Sequence, residues 1–138
     1  MPASYLIDAV AGIVYSRAWA VLTDEQIAAH ASALRNDPRF DPGFRQIVDF
    51  RELTDIRVST EGVRGVAQVN PFRRDARRAF VVASEEAFGL IRMFGAYTDS
   101  NPEQFRIFRD LENALEWIGL ARTASWPAQP PDATFGGS

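Results

Sequence analysis

Apolar positions in the first quarter of the chain fall in two β-rich runs and then one helical stripe. The runs, Tyr5-Leu6-Ile7-Asp8 and Ile13-Val14-Tyr15-Ser16-Arg17-Ala18-Trp19, flank Ala11-Gly12, a dipeptide suited to a turn between antiparallel strands, and so predict a hairpin. Thr23-Asp24-Glu25-Gln26 then has the form of a capping box. The Thr23 hydroxyl accepts from the third helical N–H, and the Gln26 side chain accepts from the N–H of Thr23. A helix is predicted from Asp24 to Arg35, with Ile27, Ala31 and Leu34 at i, i+4 and i+7 on one face. Asn36-Asp37-Pro38 ends it, because proline cannot extend the ladder and disfavours helix in the residue before it.

Further on, Ile47-Val48 within Phe44 to Phe50 is a short apolar run between polar flanks, which predicts an interior strand ending near Asp49. After a loop, Ser59-Thr60-Glu61 opens a helix with Val63, Val66 and Ala67 on one face and Asn70-Pro71 as its stop. Gly62 and Gly65 lie inside it; each costs about 1 kcal/mol against alanine, so they predict close packing against a neighbouring backbone. Ala79 to Ala83 reads as a second buried strand. Ser84 caps the next helix, whose stripe is Ala87, Leu90, Ile91, Phe94 and Tyr97. Gln104 to Phe108 alternates as a strand, and Asp110 caps a last helix carrying Leu111, Ala114, Leu115 and Ile118. The order predicts an α/β fold: a single mixed sheet of four to five strands, an N-terminal hairpin with later strands parallel, flanked by about four helices. One domain spans 1–122. The segment 123–138, with three prolines and two glycines near its end, is expected to be an extended or disordered appendage whose Trp126 and Phe135 can still dock.

Composition narrows the function classes. With 138 residues and a mean hydropathy of −0.16, the chain has room for one globular domain. It contains no cysteine, which removes thiol nucleophiles, cysteine-ligated zinc and iron–sulfur clusters. A net charge of −3 argues against a general nucleic-acid binder. No window reaches the roughly 18 apolar residues of a membrane span, and a cytoplasmic location is the default expectation.

The element order and several local strings resemble the SpoIIAA-like family of stand-alone bacterial STAS-like proteins, related to the STAS and Sec14 (CRAL-TRIO) group. The strings are Leu22-Thr23-Asp24-Glu25, Asp37-Pro38-Arg39-Phe40 before Ile47-Val48-Asp49-Phe50-Arg51, Phe88-Gly89-Leu90-Ile91-Arg92-Met93-Phe94, and Phe105-Arg106-Ile107-Phe108 with Ala114-Leu115-Glu116-Trp117-Ile118. The resemblance implies a domain used for protein contacts or small-ligand sensing, without a cofactor and without catalysis. In the anti-sigma-factor antagonists of that group, a phosphorylatable serine lies in Asp-Ser-Ser-Gly at a helix start. The corresponding stretch here is Val58-Ser59-Thr60-Glu61-Gly62, in which Val58 replaces the Asp and Glu61 precedes the glycine. Ser59 and Thr60 are therefore candidate phosphoacceptor or partner-contact residues, Ser59 having a plain N-cap as its alternative role.

Other candidates follow from residue type. The single His30 lacks an elbow serine or a ligand set and reads as a surface or half-buried structural residue. Asp49, with Arg51 and Glu52 nearby, either lines a ligand site at a strand end or accepts N–H bonds in its own loop. Arg73, Arg74, Arg77 and Arg78, joined by Arg64, form either an anion-steering patch or a solvated loop. Phe88, Met93, Phe94 and Tyr97, with Phe72 and Phe80, form either plain core or the wall of an apolar cavity for a small apolar ligand or lipid. Two binding functions lead, a partner-docking module acting through Arg57 to Gly62 and a small apolar-ligand or lipid carrier of Sec14-like type, with an enzyme of unknown type as a distant third. Exposed aromatic residues also allow a homodimer.

Overall fold

A computed structural model describes residues 3–121; the expectations for segment 123–138, including Trp126 and Phe135, lie outside the described residues. The first two strands, Ala3–Asp8 (β1) and Ile13–Thr23 (β2), pair antiparallel from Ala3 opposite Ala18 to Asp8 opposite Ile13. Gly12 closes the turn at φ +70°, a left-handed conformation that glycine adopts without a Cβ penalty. The capping box forms as the sequence predicts. Thr23 caps helix α1 (Asp24–Arg35), with Gln26 N–H donating to Thr23 Oγ1 at 3.3 Å and Thr23 N–H to Gln26 Oε1 at 3.1 Å.

The remaining elements are β3 (Arg45–Arg57), α2 (Thr60–Gln68), β4 (Arg78–Val81), α3 (Glu85–Tyr97), β5 (Phe105–Phe108) and α4 (Leu111–Ile118). A one-turn 3-10 helix, Pro102–Gln104, precedes β5, so Gln104 lies in that turn and not in the strand. The five strands stand in sequence order, with β2 to β5 parallel.

Two expectations need correction. The third strand does not end near Asp49: β2 runs on to Thr23 and supplies β3 with a partner as far as Arg57, past register shifts at Arg17/Trp19 and Ala20/Val21. Ala20 takes φ +61° at this irregularity. The expected packing of Gly62 and Gly65 on a backbone also fails. A Cβ on Gly62 would run into the carboxylate of Asp24, and one on Gly65 would have no neighbour within 4 Å.

The pleat divides the sheet into two faces. Val14, Ala18, Val48, Phe50, Phe80 and Val82 point toward α1, α2 and α3, which pack side by side with α2 in the middle. Ile13, Ile47, Ala79 and Val81 point the other way, onto Ala114, Leu115 and Ile118 of α4. Burying four such fully enclosed side chains stabilises that smaller layer by about 1.5–3 kcal/mol for each large one.

Candidate functional site

On the face toward α1–α3, three central strands each carry one polar residue where the alternation calls for an apolar one. These are Ser16 on β2, Gln46 on β3 and Arg78 on β4, all buried. Parallel register brings them together, Gln46 being opposite Val14 on one side and opposite Arg78 on the other. Arg78 Nε donates to Gln46 Oε1 at 3.0 Å, and Gln46 Nε2 donates to Ser16 Oγ at 3.2 Å. Ser16 Oγ lies 3.3 Å from His30 Nε2 on α1. Because Ser16 already accepts from Gln46, its own proton is available to His30, which fits a neutral imidazole accepting at Nε2.

Arg78, Gln46 and His30 border a cavity of about 90 Å³ between the sheet and the three helices, and Ser16 stands behind them. Its wall is otherwise apolar, with Leu22, Leu34, Val48, Val63, Ile91 and Phe94 among the contributors. Asn70, in the loop after α2, closes the polar corner and accepts from Arg78 Nη1 at 3.1 Å. Arg78 also lies against three rings, 4.4 Å from the centroid of Phe72, 5.2 Å from Phe94 and 5.6 Å from Phe80. Burial pushes its guanidinium down to about 9, which leaves it protonated at neutral pH. Burial, and secondarily the Arg78 charge, push His30 down to about 3, so the imidazole is neutral.

The other sequence-derived candidates are placed elsewhere. Asp49 is buried in the middle of β3 and engaged by its own neighbour: Arg51 donates from Nε at 2.9 Å, Nη2 at 2.9 Å and its backbone N–H at 3.0 Å. Arg64 stacks on Tyr97 at 4.9 Å on the exposed side of α2 and α3, so Tyr97 faces solvent and does not line the cavity. The arginine run is dispersed. Arg73 is exposed, Arg74 pairs with Asp99 at 3.0 Å, and Arg77 donates to Trp117 O and Gln104 Oε1. Of the proposed wall residues, Phe94 lines the cavity. Phe88 lies under Arg109, and Met93 is half-buried outside the lining.

Ser59 is exposed and caps α2. Its hydroxyl accepts from Gly62 N–H at 3.0 Å and donates to Asp24 Oδ2 at 2.7 Å, while its N–H donates to Asp24 Oδ1 at 2.9 Å. Asp24 thus joins the starts of α1 and α2. Ser59→Ala is expected to lower the free energy of unfolding by about 1 kcal/mol in urea titrations, the usual cost of a lost N-cap. An unchanged midpoint would show that the cap and the Asp24 bond do not hold α2.

Among the described residues, no group of three or more His, Asp or Glu side chains is placed to hold a metal ion, and no helix is long and apolar enough to cross a membrane. The sheet order, its hairpin edge and its four helices define a SpoIIAA-like α/β fold. In particular, the chain is similar to the crystal structure of an uncharacterized protein of the DUF3478 family, with a SpoIIAA-like fold, from Shewanella loihica PV-4. The TM-score is 0.54 with 18% identity, over 84% of this chain and 91% of that one. No protein-family model and no curated protein matches the chain.

Proposed function

We propose that this chain is a STAS-like module that acts by binding, without catalysis, and that it holds a small, mainly apolar molecule between its sheet and helices α1–α3. The observation carrying this reading is the cavity of about 90 Å³, walled by aliphatic and aromatic side chains with one polar corner. An engineered apolar cavity of about 150 Å³ admits benzene, so a compact branched molecule matches this one better than a long acyl chain. The test is a titration of ¹⁵N-labelled protein with 3-methyl-1-butanol. Saturable shifts with a Kd on the order of 1 mM are expected at Leu22, Ala31, Val63 and Ile91. They are expected to vanish in Val63→Phe, which fills the space. Shifts spread over exposed positions, or none at all, would remove the reading.

Partner docking through Arg57 to Gly62, with a switch at Ser59 or Thr60, draws support from the exposure of both residues at a helix start. A phosphate on Ser59 would meet the Asp24 carboxylate that now accepts its hydroxyl, a like-charge encounter that offsets the attraction of the helix end. The cavity is the better-supported site.

A further inference from the structure

Arginine is the most expensive side chain this core could hold, since a buried guanidinium cannot escape its charge by losing a proton at neutral pH. The described residues form six Arg–carboxylate pairs, through Arg17, Arg39, Arg51, Arg57, Arg74 and Arg109, and the arginine of each is at least a third exposed. Arg78, at 5% exposure, belongs to none of them. Its hydrogen bonds among the described residues run from Nε to Gln46 and from Nη1 to Asn70, both neutral amide oxygens, so no acceptor there takes a proton from Nη2. Among the described residues, no Asp or Glu contributes to the cavity wall. The cavity therefore holds one positive charge at its polar corner, stabilised by three ring faces and two amides and, among the described residues, by no counter-ion.

We propose that the ligand of this cavity is a short-chain monocarboxylate whose carboxylate binds the free edge of the Arg78 guanidinium and whose aliphatic end lies against Leu22, Leu34, Val63 and Ile91. The proposal rests on the reading that the cavity takes a ligand, and deepens it by naming the chemical class. A planar carboxylate matches the fork of a guanidinium, and in a desolvated corner the charge-assisted bonds strengthen. With the His30 imidazole at the wall neutral, the one cation calls for one negative charge. Gln46 and Asn70, held by Arg78, fix the guanidinium plane before a ligand arrives. Gln46 is itself oriented by Ser16, which makes the row a positioning network for the cation.

The experiment compares isovalerate with isovaleramide, which share a heavy-atom shape and differ in charge, on the unmodified protein at pH 7, with amide shifts as the readout. Isovalerate is expected to bind at least about tenfold more tightly, the gain typical of a hydrogen bond to a charged group. In Arg78→Met that preference should fall to within about twofold, while Arg78→Lys should retain part of it. Equal affinities for acid and amide would overturn the proposal and leave the cavity reading standing. So would isovalerate shifts confined to the exposed Arg73, Arg74 and Arg77. If neither compound perturbs the cavity while 3-methyl-1-butanol does, the carboxylate assignment fails alone. If none of the three does, both readings fail. The acid–amide comparison needs no variant, so misfolding of Arg78→Met would not stop the test.

Discussion

Unfolding in urea at pH 6.5 and at pH 4.5 is expected to differ by about 2.5 kcal/mol, with the protein weaker at the lower pH. The cause is His30. Burial first, and the Arg78 charge second, bring its pKa from 6.5 down to about 3. Between those values the unfolded chain takes up a proton that the folded chain refuses. A base depressed in the folded state therefore costs stability as pH falls through this window, at up to about 1.4 kcal/mol per pH unit. The groups around the ring support the assignment. Ser16 and Gln46 are uncharged, and Tyr5, whose ring centroid lies 5.6 Å away, is pushed up to about 12 by burial and by its bond to Asp37. Asp37, lowered to about 2 mainly by Arg39, adds its own loss only below its ordinary 3.8. His30→Gln keeps an acceptor for Ser16 and cannot be protonated here, so it should abolish the difference between pH 6.5 and 4.5. Equal slopes in wild type and variant would sink the assignment.

Features that depend on local hydrogen bonding were legible in the sequence. Thr23, Ser59, Ser84 and Asp110 all cap helices where their spacing to the next turn predicts it, because an N-cap is satisfied within three residues. The second half of β3 was not legible. Arg51 to Arg57 is mostly polar and half-exposed, and it is a strand only because β2 lies beside it past a bulge, a partner that no window around residue 54 contains. The cavity was legible in part. Phe94, Phe72 and Phe80, which the sequence offers as core or wall, line the cavity and are at the same time part of the main hydrophobic core or packed against it. Arg78 was hidden among Arg73, Arg74 and Arg77, which share its composition but not its place. The signal that separates it is the period of two: Arg78 stands two residues before Phe80, as Gln46 stands before Val48 and Ser16 after Val14, so all three polar residues fall on the apolar face.

Arg78→Met should make the ligand-free protein more stable, raising the free energy of unfolding at pH 7 by about 1–2 kcal/mol. A guanidinium lowered from 12.5 to about 9 by burial carries a penalty of roughly 5 kcal/mol at every pH below the folded value, because the folded chain holds a charge that water would solvate better. Three ring contacts return about 1 kcal/mol each. Loss of the donor leaves Gln46 Oε1 exposed to a cost of about 1 kcal/mol, whereas Asn70 Oδ1 keeps the N–H of Phe72 at 3.2 Å. Methionine fills much of the same space without charge, so the balance favours the variant. The same substitution removes one of the two causes that depress His30, and the acid-sensitive window should end at a higher pH. A loss of 3 kcal/mol or more on substitution would show that the guanidinium holds the three strands and helices together, and the cation would then be a structural pin. A gain means that the folded chain tolerates the charge at the expense of stability. That is the pattern of a residue kept for what it binds, and it ties the stability measurement directly to the acid–amide comparison at the same side chain.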